Sequence, residues 1–277
     1  MAVLTSDNLR FWKNNGYVVV SRAVPPSHLK AVIEDIWWFL EMDADEPETW
    51  YRPPHRPGGM IEMYQTQALW DNRQAPRVHQ AFAEIWGTEK LWVSMDRVNM
   101  KPPTRPDKPD WDHPGMIHWD MDTDGLVEIP FRVQGVLYLS DTAKNQGGFQ
   151  CVPGFHNRFL EWVKTQPADR DPRHPDLTGL EVKSIPGKAG DLLIWHSLLP
   201  HGNGRNTSHL PRLAQYISMS PCQPPSVEAC ESRVAMWRER SHPVGTAFPG
   251  DDRQKERDRP SAELSDLGRK LLGVDSW

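Results

Sequence analysis

Between residues 91 and 220 the apolar residues come in short runs, 91–100, 133–140, 191–196 and 212–220. They are rich in branched and aromatic side chains and separated by glycine, proline, asparagine and aspartate. Runs of that kind predict strands joined by turns. The helical patterns lie before and after them, with no strand–helix alternation. That order predicts a mainly β architecture with flanking helices, a sandwich or jelly roll and not a doubly wound parallel sheet.

Ahead of the strand-rich part, Thr5 or Ser6 can cap a short helix that Asn15-Gly16 ends before the strand-like run Tyr17-Val18-Val19-Val20. Pro25-Pro26-Ser27 then opens a longer helix, in which Leu29, Val32, Ile33, Ile36, Trp37 and Leu40 recur at the spacing of one buried face. Residues 45–59 read as a loop, and Val78, Phe82, Ile85 and Trp86 as a further helix stopped at Gly87. Residues 226–240 and 261–272 read as C-terminal helices, with the charged stretch 251–260 between them an exposed connector. The 277 residues can bury a sizeable core. No composition break divides them, so a single domain is expected over 1–277: a helical part over about 1–88, a strand-built core over about 90–221 and a helical tail over about 226–277.

Charge and composition narrow the function. With 32 basic against 37 acidic residues, well mixed, the chain carries no electrostatic footprint for nucleic acid or anionic lipid. No apolar stretch is long enough to cross a membrane, and the opening residues lack the pattern of a secretory signal. The expectation is a cytoplasmic protein, monomer or homodimer, that acts on a small molecule. Cys151, Cys222 and Cys230 form no metal-type pair and are expected to pack.

Two H-x-D pairs stand out. On a strand, residues two apart share a face, so an imidazole and a carboxylate can converge on one ion. His174-Pro175-Asp176 lies in a stretch dense in proline, arginine and aspartate and reads as a solvated loop. His118-Trp119-Asp120 lies among strands, upstream of Gly190-Asp191 to His196, His201-Gly202-Asn203-Gly204 and Arg212. Two histidines and one carboxylate form the facial arrangement that holds non-haem Fe(II) with coordination sites left open. The planar fork of Arg212 suits a carboxylate held at two points. Asp122 shares the expected face of His118 and Asp120, and His196 competes with His201, although a buried histidine bonded to backbone is the commoner role for such a residue.

Taken together, Phe11 to Val20, Lys101-Pro102-Pro103, His118-Trp119-Asp120, Leu137-Tyr138-Leu139-Ser140-Asp141, Gly147-Gly148-Phe149, Val152-Pro153-Gly154-Phe155-His156, Gly190-Asp191 to His196, His201-Gly202-Asn203-Gly204 and Arg212 resemble the phytanoyl-CoA dioxygenase family of Fe(II)- and 2-oxoglutarate-dependent oxygenases. The resemblance implies a double-stranded β-helix, the cupin-like jelly roll. It also implies Fe(II), 2-oxoglutarate and dioxygen as cofactor and co-substrates. His118, Asp120 and His201 fall on the family's iron ligands, and Arg212 on its 2-oxoglutarate anchor. Asn203 stands where family members often carry serine. The implied activity is oxidation of an unactivated C–H bond, with hydroxylation first among the outcomes. Retention of Asp120 disfavours halogenation, since the related halogenases lack that carboxylate.

Lys101 and Gln134 are candidate polar contacts for the co-substrate, beside Asn203, and Trp111, Met116, Trp119, Asp122 and Phe131 are candidates to line the substrate pocket. Strand alternation puts Ala214, Tyr216 and Ser218 on the inner face with Arg212, and Leu213, Ile217 and Met219 outside under the N-terminal helices. The sequence shows no basic cluster marking a CoA diphosphate site, so a small organic substrate is favoured over an acyl-CoA. A cupin-like metallohydrolase or isomerase is the alternative that would not need Arg212.

Overall fold

The computed structural model describes residues 2–128, 130–222, 227–245 and 247–277. The chain opens with α1 (Ser6–Asn15). The Thr5 side chain accepts the Asn8 N–H in a capping box, and Gly16 ends the helix at φ 74°, a left-handed conformation that a side chain would disfavour. β1 (Tyr17–Val20) follows directly, then α2 (Pro26–Leu40), whose Leu29, Val32, Ile36, Phe39 and Leu40 are buried. β2 (Met60–Ile61), α3 (Gln67–Arg73), α4 (Pro76–Trp86), β3 (Leu91–Val93) and β4 (Val98–Lys101) complete the N-terminal part.

β5 (Val133–Tyr138), β6 (Phe149–Cys151), α5 (Phe159–Val163), β7 (Lys183–Ser184), β8 (Leu192–His196), β9 (His201–Asn203), β10 (Arg212–Tyr216) and β11 (Met219–Pro221) make up the strand-rich part. α6 (Val227–Glu239) and α7 (Asp266–Leu272) close the chain. Of the tail expected from residue 226, the first residue lies outside the described ones.

Every strand pairing among the described residues is antiparallel. The main sheet runs β1-β8-β5-β10-β4-β2, and a second runs β7-β6-β9. The expected mainly antiparallel architecture with flanking helices is therefore present. Alternation along the main sheet separates two cores. Val18, Leu137, Leu192, Ile194 and Leu213 pack outward with the α2, α3 and α4 side chains, while Val136, Tyr138, Leu193, Trp195 and Ala214 pack inward with Phe149 and Cys151. Leu213, Ile217 and Met219 lie under the helices as the pattern predicts. One polar residue on that outer face, Gln215, is paid for by the helix beneath it, exchanging hydrogen bonds with Asn72 (2.8 Å) and the Leu69 carbonyl (3.0 Å).

Three expectations need correction. The runs 91–100 and 212–220 are not single strands. Each breaks, and the detached ends β3 and β11 pair with one another, apart from the main sheet. Between the paired parts, the Ser94 N–H bonds the Ser218 carbonyl and the Tyr216 N–H the Arg97 carbonyl, so the two runs change partners together. α3 carries no clear periodic signal in its seven residues and was not expected. The stretch 251–260 is not a bare connector: Glu256 is buried and accepts the backbone N–H groups of Tyr64 and Gln65, which have no strand partner there.

Candidate metal centre

His201 stands on β9, and β9 pairs with β6 in the second sheet. His118 is joined to His201 by an isolated bridge, each residue donating its N–H to the other's carbonyl at 2.9 and 3.0 Å. Residues 118–120 are thus extended without forming the regular strand expected of them. A close backbone approach makes the bridge possible: a Cβ on Gly202 would fall on the Met116 carbonyl oxygen, and one on Gly115 (φ 81°) on that of Asn203. Gly202 and Asn203 are themselves residues of β9.

Alternation within 118–120 does the rest. Trp119 points away from its neighbours, fully buried among Phe155, Phe159 and Trp162, with its indole N–H on the Leu198 carbonyl at 2.9 Å. His118 and Asp120 turn to the other side and meet His201. His118 Nε2 lies 3.2 Å from Asp120 Oδ1, and His201 Nε2 lies 3.1 Å from Asp120 Oδ2. One ligand atom from each residue can be chosen with all three within 4.8 Å, and this is the one such group of potential metal ligands among the described residues. Separations near 3 Å are those of neighbouring donors on a cation bound at about 2 Å.

The donor chemistry fits a cation. His201 Nδ1 lies 2.9 Å from the Leu199 carbonyl, which can only accept, so Nδ1 carries the proton. In neutral His201 the Nε2 lone pair then faces a carboxylate oxygen, an arrangement that repels unless a proton or metal lies between. Burial alone would raise the Asp120 carboxyl; hydrogen bonds from His118 and His201 in their protonated forms more than reverse that and hold it well below the carboxylate range. The bond to Asp120 raises His118 in turn. Gln134, on the inner face of β5, donates to Asp120 Oδ2 at 2.7 Å and so fixes the carboxylate.

Arg212 is fully buried on β10, directly opposite Lys101 of β4. Its Nη1 donates to Asn99 Oδ1 at 2.9 Å and to the Tyr216 hydroxyl at 3.3 Å, while Nε and Nη2 are buried without a partner. Two unspent donors on one edge of a guanidinium match a carboxylate. Lys101 Nζ donates to the Gly204 carbonyl at 2.6 Å, and burial followed by the Arg212 charge pushes it down to about 8. Asn203 donates to the Tyr216 hydroxyl at 2.8 Å, linking β9 to the arginine. Asn99 was missed in the sequence, although alternation places it beside Lys101 on the inner face.

A cavity of about 310 Å³ holds the three ligands and is walled by Gln134, Phe149, Trp195, Asn203, Tyr216 and Met116. A second, of about 530 Å³, adjoins it across Asp120 and Gln134 and carries Trp86 and Phe131. Of the residues expected to line the substrate pocket, Met116 lies in the first cavity and Phe131 in the second. Trp119 lies in neither, because period-two alternation drives it into the core, and Trp111 packs instead against Tyr51 and His55. Asp122 is exposed and accepts the Asp124 N–H (2.8 Å), because the chain turns away after Asp120. His196 is buried, takes the Leu198 N–H on Nδ1 (3.1 Å) and stays out of the ligand group; burial, then His156, pushes it down to about 4. Burial pushes the Cys151 thiol up to about 12, in keeping with a packing role. His174 and Asp176 lie on a loop, as expected.

A family model described as phytanoyl-CoA dioxygenase matches residues 12–214. The chain is 23% identical to a Dictyostelium discoideum protein named for phytanoyl-CoA dioxygenase, over 96% of this chain and 86% of that one. It is 28% identical to an ectoine dioxygenase from Bordetella bronchiseptica over 50% and 48% of the two chains. Among solved structures it superposes, at TM-score 0.56 and 16% identity, on the epimerase SnoN in complex with Fe3+, α-ketoglutarate and nogalamycin RO, covering 94% of each chain.

Proposed function

Because the chain belongs to the phytanoyl-CoA dioxygenase family, we propose that it is an iron(II)- and 2-oxoglutarate-dependent dioxygenase that hydroxylates an unactivated C–H bond of a small organic molecule. The observation that carries this is the meeting of His118, Asp120 and His201 within one coordination sphere, in a protein whose buried Arg212 keeps two donors unspent. The two sheets and the cavity between them accord with a jelly roll, folded as one domain over residues 1–277.

His118, Asp120 and His201 would hold the iron from one side, leaving the cavity side open. Arg212, through Nε and Nη2, would hold the distal carboxylate of 2-oxoglutarate, with Lys101 adding positive charge and Asn203 with Tyr216 fixing the guanidinium. Bound together with dioxygen, iron and 2-oxoglutarate supply C–H oxidation coupled to decarboxylation of the keto-acid to succinate and CO2. The protein's own contribution is geometric and dielectric. Leu199 fixes the His201 tautomer and Gln134 fixes Asp120. Phe149 and Trp195 flank the His201 ring, with ring centres 6.0 and 5.1 Å away, and keep water from that face. Methionine, glycine and serine on the remaining wall leave space for a substrate.

Anaerobic titration with Fe(II) and 2-oxoglutarate tests the reading, followed by succinate release in air. One iron per chain and 2-oxoglutarate-dependent succinate are expected, and Arg212→Ala should raise the 2-oxoglutarate requirement roughly 100-fold while iron is retained. Activity with Zn(II) that ignores both 2-oxoglutarate and Arg212 would instead identify a metallohydrolase.

A further inference from the structure

The half of the cavity away from Arg212 carries a charged group that the proposed chemistry does not use. Asp96 lines the same cavity as the three ligands, just before β4. Apart from Asp120, the other carboxylate or guanidinium among the described lining residues is Arg97, and it is already engaged. Arg97 Nη1 bonds Glu62 (3.0 Å) and the Ala247 carbonyl (2.7 Å), and its guanidinium lies over the Phe248 ring at 4.6 Å. Its approach to Asp96 Oδ1 is only 3.7 Å, and the Arg97 backbone N–H already occupies that oxygen at 2.7 Å. Oδ2 has no hydrogen-bond donor among the described residues. Burial pushes the Asp96 carboxyl above its ordinary range, and the facing charge of Asp120 adds to that, outweighing what Arg97 and Arg73 take back. Asp96, its side chain 28% exposed, thus lines the cavity as a carboxylate with one oxygen left free of protein donors among the described residues.

A carboxylate oxygen free of protein donors at a cavity wall is a ready acceptor for a donor on a ligand. Met60, Met116, Gly135 and Ser218 line the same cavity and offer no competing charge. On the proposed reading the distal carboxylate of the co-substrate lies at Arg212 and Lys101, so the free oxygen of Asp96 is left for the substrate. We propose that Asp96 reads the substrate by accepting a hydrogen bond from a protonated nitrogen, an amine, amidinium or guanidinium, carried on the small molecule whose C–H bond is oxidised. The inference rests on the iron oxygenase reading and narrows its substrate class. The adjoining cavity beyond Asp120 and Gln134 gives space for an attached group.

The test uses the full chain loaded anaerobically with Fe(II) and 2-oxoglutarate. The probes are sets of compounds that share a carbon skeleton and carry an amine, its N-acetyl amide or a carboxylate, with cyclic amidines and alkylguanidines added. Binding is read as a change in the metal-to-keto-acid absorption band, and turnover as succinate released in air. Cationic members should bind about 10- to 100-fold better than their neutral partners, the range of a charge-assisted hydrogen bond. Asp96→Asn should erase that preference and Asp96→Glu keep part of it, each judged on protein that still shows the band. Equal response to amine and amide, or a preference that survives in Asp96→Asn, would overturn the assignment of Asp96 alone. Absence of the band and of any succinate from the unmutated protein would overturn the oxygenase reading and this inference together.

Discussion

Arg212 and Gln134 stand on strands with ladder partners on both sides, β10 between β5 and β4 and β5 between β8 and β10. His118 and Asp120 stand on a segment tied to β9 by a single bridge. The regular wall is held by many backbone hydrogen bonds and by helices packed on its outer face, so a change at one residue is shared among neighbours. The irregular wall depends on local devices: the Trp119 side-chain anchor, the bare glycines that let residues 115–118 approach β9, and the bonds from the Trp119 and Thr123 N–H groups to the Arg173 and Pro172 carbonyls (2.8 and 3.1 Å). On the proposed reading, carboxylate recognition falls to the regular side of the cavity and two of the three metal ligands to the irregular side.

The sharpest way to break this comparison is Trp119→Ala. It removes the anchor and should cost about 3–5 kcal/mol in chemical denaturation, together with loss of measurable iron retention. Val136→Ala, on the inner face of β5, should cost less stability and leave iron affinity where it was. Iron retention in Trp119→Ala equal to that in Val136→Ala would sink the contrast.

Acid probes the regular wall and the loop beside it. His196 at the end of β8 and His55 near Trp111 are buried, and burial pushes both down to about 4. Their folded values lie below the unfolded value of about 6.5. The stability gained by keeping them neutral is therefore complete above pH 6.5 and is lost as pH falls toward 4. A loss on the order of 2 kcal/mol for each is expected by pH 5, read from denaturant midpoints at pH 7 and 5. It should shrink in His196→Gln and His55→Gln.

Smallest of all should be Gln134→Leu, which joins the two walls by removing the donor to Asp120. Iron affinity should fall about 10-fold with little change in unfolding. A fall in 2-oxoglutarate affinity without any fall in iron affinity would mean that Gln134 serves the co-substrate, as the sequence had suggested.

How far the sequence could be read follows the same division. Strand alternation correctly placed Ala214 inward and Leu213, Ile217 and Met219 beneath the helices, because a period of two is a property of the extended backbone itself. The cap at Thr5, the stop at Gly16 and the buried face of α2 were equally legible, since each is decided by residues within a few positions. The breaks that send β3 and β11 into a pair of their own were not, because the two runs change partners together and neither shows it alone. Trp111 and Trp119 were misplaced because an aromatic residue near a site looks the same in sequence whether it faces the cavity or anchors its wall. Asp96 passed unnoticed for the related reason that a lone aspartate before a strand carries no motif.

By itself, then, the amino-acid sequence determined the helices-then-strands order, the faces of the regular strands and the residue types from which a metal centre could be drawn. Local backbone geometry and side-chain chemistry are enough for those. Only the tertiary structure decided that Asp120 and not Asp122 meets His118 and His201, that His196 stays in the core, and that Arg212 keeps two donors free while Asp96 faces the cavity. Those outcomes depend on which segments cross in space and which buried polar atoms find partners there, and no periodicity along the chain encodes either.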